Sequence, residues 1–163
     1  MFLSSELSIK MDKVIDKLRQ KLNPNCIILA DISGQLLSSH VASSEIDTTG
    51  LAALFASNIG ATSAIAEKVN ENSGFDTVMH EGKNYNIFLS KIGKSYLLAV
   101  IFTRADQIGR VRLFTKKACE ELLILSREYE RQNQTVIKNK FGIKFSDKLA
   151  DQLTNIFNET EIL

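Results

Sequence analysis

Side chains that could perform acid–base, nucleophilic or metal-binding chemistry are few and scattered in this sequence. Its two histidines are His40 and His80, and neither has a Cys, Asp or Glu at the spacing that a metal site needs. Its two cysteines, Cys26 and Cys119, are far apart and have no ligand-like spacing. We therefore expect no bound metal, no cofactor and no disulfide framework.

Motifs for phosphate chemistry and for a nucleophile are also missing. The sequence has no Gly-x-x-x-x-Gly-Lys phosphate loop, so we expect the chain itself to hydrolyse no nucleotide. Residues 31–34 read Asp-Ile-Ser-Gly, which places a serine in a turn without the flanking glycines of a nucleophile elbow. Ordinary hairpin-turn chemistry explains these residues. The sequence predicts no catalytic residue and therefore a protein that is not an enzyme.

Composition limits the size of the fold and the classes of partner. The 163 residues are 44% hydrophobic, which is enough for one packed domain with an appendage. Twenty basic and nineteen acidic residues leave a net charge of +1, so nucleic acid is not an expected partner. We find no run of about 18 apolar residues in the sequence, so we expect no segment that inserts into a membrane. The first residues do not resemble a secretory signal, and with two cysteines we expect a reducing, cytoplasmic location.

Apolar periodicity predicts the order helix, two strands, helix, three strands, helix. The predicted helices are 8–22, 50–69 and 106–132, and the predicted strands are 26–30, 35–41, 75–80, 84–91 and 95–103. Pro24 ends the first helix because proline cannot continue it. Short glycine turns join the last three strands into an antiparallel meander.

The middle helix has two faces of different composition. One arc carries large apolar residues and predicts a core face, namely Leu51, Leu54, Phe55, Ile59, Ile65 and Val69. The opposite arc carries only small residues, which are Ala53, Ala56, Ser57, Gly60 and Ala64. A glycine inside a helix costs about 1 kcal/mol relative to alanine, so Gly60 indicates that another backbone approaches closely. We predict that these five residues bind a partner; the alternative is that both faces are buried within the same chain.

The C-terminal part of the sequence differs in character from the rest. We predict one domain over residues 8–132, followed at 133–163 by a basic linker and a short amphipathic helix. The helix carries an apolar stripe that is expected to make a contact, formed by Phe145, Leu149, Leu153, Ile156 and Phe157. Because so short a helix is marginal alone in water, the stripe needs a surface, either on this domain or on a partner.

Several local strings, in this order and spacing, resemble one known family. They are Ile-Leu-Ala-Asp-Ile-Ser-Gly at 28–34, Leu-Ala-Ala-Leu-Phe-Ala-Ser-Asn-Ile-Gly-Ala-Thr at 51–62, His-Glu-Gly at 80–82, Asn-Ile-Phe-Leu-Ser at 86–90 and Gly-Arg-Val-Arg-Leu at 109–113. Together they resemble the Roadblock/dynein-light-chain family over residues 8–129. Within that family the similarity is to the members that regulate small Ras-like GTPases.

The resemblance implies an α+β fold of the Roadblock type, in the order α-β-β-α-β-β-β-α with a C-terminal helical extension. Its five-stranded antiparallel sheet would carry the middle helix on one face and the first and last helices on the other. In this family, homodimers form through the middle helices and the adjoining edge strand of the meander. A small Ras-like GTPase then docks across the paired middle helices, where Gly60 and Ala64 match small residues that lie under it.

The leading hypothesis is therefore a non-catalytic homodimeric regulator of a bacterial or archaeal small Ras-like GTPase, acting in cell polarity or gliding motility by activating hydrolysis or modulating exchange. One alternative is a structural adaptor whose dimer binds partners without changing GTP turnover. Another is a small-molecule sensor, although no polar cluster marks a pocket. A fold of this kind does not by itself decide among these functions.

Overall fold

The computed structural model describes residues 5–42 and 46–141, with side chains through residue 131. Its elements are α1 (Ser5–Leu22), β1 (Cys26–Asp31), β2 (Leu36–Val41), α2 (Thr48–Lys68), β3 (Thr77–Glu81), β4 (Tyr85–Ile92), β5 (Tyr96–Thr103) and α3 (Ile108–Phe141). The predicted element order is confirmed. A compact unit extends through Leu125, and a second unit begins at Ser126.

The five strands form one antiparallel sheet in the order β2-β1-β5-β4-β3. The central strands β1 and β5 are nearly continuous runs of apolar residues, and almost every residue in them is buried. Such runs are typical of strands that are covered on both faces of a sheet. The sheet therefore needs a helical layer on each side.

The two helical layers divide as the family resemblance implies. On one face, Ala52, Phe55 and Ile59 of α2 pack with alternate strand residues that include Ile28 and Leu89. On the other face, α1 buries one stripe and α3 another; these stripes are Leu7, Met11, Val14, Ile15 and Leu18 on α1, and Val111, Ala118 and Leu122 on α3. The middle helix thus lies opposite the first and last helices.

Some element boundaries differ from the predicted ones. Strand β3 begins at Thr77, and Phe75 lies exposed before it. Helix α3 continues to Phe141, nine residues past the predicted end at 132, because no Gly or Pro interrupts residues 133–141. The predicted tail stripe of Phe145, Leu149, Leu153, Ile156 and Phe157 lies outside the described residues.

Among the described helices, α2 alone is long and apolar enough to cross a membrane by length and composition. The expectation that the sequence has no such segment missed it, because Gly, Ser, Thr and Asn interrupt the apolar residues of α2, while its Ala, Leu, Ile and Phe still give a high mean hydropathy. A helix packed on the core of a globular domain meets the same criterion, and α2 buries Phe55 and Ile59 against the sheet.

The turn between β1 and β2 is organised by one carboxylate. Asp31 Oδ1 accepts hydrogen bonds from the backbone N–H of Ser33 at 2.9 Å, from the Ser33 hydroxyl at 2.6 Å and from the backbone N–H of Gln35 at 3.0 Å. Partial burial raises the pKa of Asp31, but these hydrogen bonds outweigh it and lower that pKa below its ordinary value of 3.8. The ionised carboxylate therefore stabilises the turn.

We predict that Asp31→Ala lowers the free energy of unfolding by about 1.5–3 kcal/mol near pH 7, since hydrogen bonds to a charged group are lost. Because the folded pKa is depressed, this contribution is present above the ordinary carboxyl pKa and is lost as the pH falls through the folded value. Urea unfolding near pH 7 and about pH 2 measures the difference. Ser33→Ala keeps both backbone donors and should lower the free energy of unfolding by less than Asp31→Ala does. If Asp31→Ala lowers that free energy equally at both pH values, the prediction is wrong.

Candidate docking surface on the second helix

Helix α2 is held on the sheet by a narrow strip of its surface. Asp47 caps its N-terminus by accepting a hydrogen bond from the Gly50 backbone N–H at 2.9 Å. Four residues of the helix are buried, and they lie on one side of it at the positions Ala52, Phe55, Ile59 and Ala66. Leu51 and Ala56 pack half-buried beside this strip, and the opposite side of the helix is exposed.

The predicted core face of α2 is too wide and is in part wrong. Phe55 and Ile59 are buried, but Leu54, Ile65 and Val69 remain 65%, 56% and 59% exposed. The reason is geometric: a helix on a flat sheet buries only the strip that faces the strands, and these three residues fall outside that strip. Leu54 and Ile65 instead flank the small residues on the solvent side of the helix.

Four of the five residues predicted to bind a partner, Ala53, Ser57, Gly60 and Ala64, are exposed, and Ala56 is half-buried at the margin of the sheet contact. A Cβ added at Gly60 would meet no atom of the described residues within 4 Å. Contacts among the described residues therefore do not account for the glycine, and none of these residues buries the second face of α2.

We define the docking face as the exposed surface of α2 formed by Ala53, Leu54, Ser57, Gly60, Ala61, Ala64 and Ile65. None of these seven residues is charged. The hydroxyl of Ser57 donates to the carbonyl oxygen of Ala53 at 3.0 Å, so it is turned back onto the helix. Sequence reasoning missed Leu54 and Ile65 as surface residues, although an apolar arc wider than one sheet contact was the signal available.

The turn between β1 and β2 supports one end of this face. A Cβ added at Gly34 would lie 2.8 Å from the Cα of Ala53, and Gly34 has φ +90°, where other residues are strained. The two strings at 28–34 and 51–62 therefore meet in space. This contact fixes the position of Ala53 relative to the sheet.

The two edges of the sheet differ in regularity. On β2 the pairing with β1 shifts between Leu29↔Ser38 and Ala30↔Leu36, which leaves Leu37 as an extra residue in a bulge. On β3 the pairing with β4 runs without interruption from Thr77↔Ser90 to Glu81↔Asn86. Bulges discourage the addition of another strand, so β3 is the edge that is open to pairing.

The titratable groups do not form a reactive centre among the described residues. No group of three or more His, Cys, Asp or Glu in the described ranges could hold a metal ion. Both cysteines are free thiols, and burial raises the pKa of Cys26 to about 11 and that of Cys119 to about 12. Thiols protonated at neutral pH are poor nucleophiles.

Comparison with known proteins places this geometry in a family. Residues 10–102 match the family model of the Roadblock/LC7 domain. The structure is similar to Myxococcus xanthus MglB, with 34% identity, a TM-score of 0.74 and coverage of 78% of this chain and 96% of that one. It is also similar to a solved MglB with tetrameric arrangement, at 25% identity and a TM-score of 0.73, with the same coverage of each chain.

The fold is shared with the gliding protein MglB of Thermus thermophilus, at 24% identity and a TM-score of 0.73 over 78% of this chain and 96% of that one. The family model spans strands β1 to β4, all of β5 except its last residue, and the whole of α2, which includes the docking face and the open edge. Because that match covers more than half of the residues of this chain, the chain belongs to the Roadblock/LC7 domain family.

Proposed function

We propose that this protein is a non-catalytic, homodimeric regulator of a small Ras-like GTPase, of the MglB type. The observation that carries the proposal is the docking face: an exposed, uncharged helix surface with a glycine that no contact in the described chain explains. The 34% identity to Myxococcus xanthus MglB supports the same role.

Self-association would use the open edge of β3. Two copies joined through their β3 strands continue one sheet and bring both α2 helices to the same face of it. Helix α2 covers β1, β2 and β5, whereas Val78 of β3 and Ile87 of β4 stay only half-buried on that face. A second copy would cover these side chains and satisfy the backbone groups of the edge. The tetrameric arrangement of a similar MglB shows that such a relative self-associates.

The GTPase would dock across the paired docking faces. Small side chains at Gly60 and Ala64 let a partner backbone approach closely, while Leu54 and Ile65 supply apolar area at the margins. The face offers no charged group that could enter the GTPase active site. Regulation would therefore act by positioning the GTPase's own residues around the phosphates.

We expect the protein in solution to have twice its chain mass of 18.2 kDa by light scattering. Lys91 N–H donates to the carbonyl oxygen of Asp76, so the alternation of an antiparallel ladder turns the N–H of Met79 to the free edge of β3. Met79→Pro should therefore yield monomers without loss of a hydrogen bond within the chain.

Ser39→Pro provides the matched control on the other edge. Ala42 N–H donates to the carbonyl oxygen of Asn25, so by the same alternation the N–H of Ser39 faces outward from β2. This variant should remain dimeric. A dimer that survives Met79→Pro, with circular dichroism unchanged, would show that β3 is not the interface.

We expect Gly60→Arg and Ala64→Arg to leave the fold intact and to weaken binding of the cognate GTPase by about a hundredfold or more, since a long charged side chain blocks close approach and is desolvated. Circular dichroism, light scattering and binding should be measured on the same samples. Asn72→Arg, which adds the same charge at an exposed position after α2, should bind normally. Normal binding by both helix variants would place the GTPase elsewhere.

The protein alone should hydrolyse no GTP, and it should raise hydrolysis or exchange by its GTPase about tenfold to a hundredfold through positioning. Turnover measured with and without this protein, and with the Gly60→Arg variant as the negative control, checks the effect. Tight binding with unchanged turnover would support the adaptor function instead.

A further inference from the structure

Positive charge is concentrated in two segments of a chain whose net charge is only +1. Residues 17–22 and 107–119 together hold seven Lys or Arg and no Asp or Glu. We define the basic face as the exposed side chains of these segments, namely Lys17, Lys21, Arg110, Arg112, Lys116 and Lys117. The near balance of charge over the whole sequence conceals this segregation.

The fold brings the two segments together on the outer side of α1 and α3. The guanidinium of Arg110 donates to the carbonyl oxygen of Lys21, which joins the start of α3 to the end of α1. Lys17 and Lys117 lie on opposite sides of one groove between the helices, and Lys17 also pairs with Glu121 at 3.1 Å. Arg112 and Lys116 instead line a second groove, between α3 and β4, which also contains Glu120. The cations therefore lie on both sides of the exposed surface of α3.

Helix stability does not explain the cations on α3. A helix N-terminus carries partial positive charge, so acidic residues are favoured there and cations are not. The first turn of α3 has no acidic residue and contains Arg110, with Arg112 close behind. Arg112 and Lys116 form no ion pair with any described residue. Arg110 is compensated by its hydrogen bond to the carbonyl oxygen of Lys21. Arg112 and Lys116 have no such partner among the described residues, which indicates a role outside the chain for these two side chains.

Exposed aliphatic side chains lie among these cations. Leu113 is 51% exposed and Ile108 is 39% exposed, both on the first turns of α3. Cations mixed with protruding apolar residues are typical of surfaces that bind membranes peripherally. Aliphatic side chains insert between headgroups but offer no platform for stacking bases, which disfavours single-stranded nucleic acid.

We infer that the basic face binds the anionic headgroups of a phospholipid membrane, with Leu113 and Ile108 contacting the interface and no segment crossing it. The basic face lies on the α1 and α3 side of the sheet, whereas the docking face lies on the α2 side. Membrane contact therefore leaves the docking face free, and the inference does not depend on the proposed GTPase.

The test is flotation of the full-length protein with phosphatidylcholine vesicles that contain about 30% phosphatidylserine, compared with pure phosphatidylcholine vesicles. We expect binding to the anionic vesicles alone, and its loss as salt rises from about 0.1 M to about 1 M. Arg112→Gln with Lys116→Gln should lower the partition coefficient about twentyfold or more, because each cation contributes about fivefold.

Two variants sharpen the comparison. Lys68→Gln with Lys83→Gln removes the same charge from exposed positions outside the basic face and should change binding less than about twofold. Leu113→Gln leaves the charge unchanged and should still weaken binding several-fold, since an apolar contact is lost. Circular dichroism confirms that each variant is folded.

Equal binding to both kinds of vesicle, or an equal loss in the Lys68 and Lys83 control, would overturn the inference. Binding to polyglutamate or to duplex DNA without binding to anionic vesicles would also overturn it, because the basic face would then recognise an acidic protein or nucleic acid. If Leu113→Gln leaves vesicle binding unchanged, the inferred contact of Leu113 with the membrane interface is wrong.

Discussion

The structure depends on the burial of β1 and β5 on both faces. These central strands have almost no polar side chain to present to water, so each side of the sheet must carry helices. Three helices cannot divide equally between two faces. The pair α1 and α3 covers one face, and α2 alone covers the other, where it leaves the outer part of β3 and β4 only half covered.

This unequal cover explains why α2 has an apolar surface on both sides. Its inner strip of Phe55 and Ile59 completes the core, and its outer surface remains beside exposed Leu54 and Ile65. A helix with this composition is costly to leave in water, since uncovered apolar area forgoes about 25 cal/mol per Å². Exposed apolar residues of this kind support the proposed contacts of α2 with other chains.

Much of the fold followed from local pattern, because periodicity and glycine turns act over a few residues. The order of elements, the small side chains of α2 and the position of Gly60 could be predicted in this way. The exposure of Leu54 could not, because the width of a helix–sheet contact depends on strands distant in sequence. The bulge at Leu37 and the basic face around Arg112 were hidden for the same reason: register and charge segregation appear only once separate segments are aligned.

The bulge in β2 also has a consequence for growth. A sheet with two regular edges can add copies at both ends and extend into a fibre without limit. Here the β2 edge is irregular at Leu37, whereas the β3 edge is regular and better suited to accept an identical strand. In the proposed dimer, pairing at β3 would use the regular edge of each copy, so the bulge at Leu37 would stop growth of the sheet at two copies.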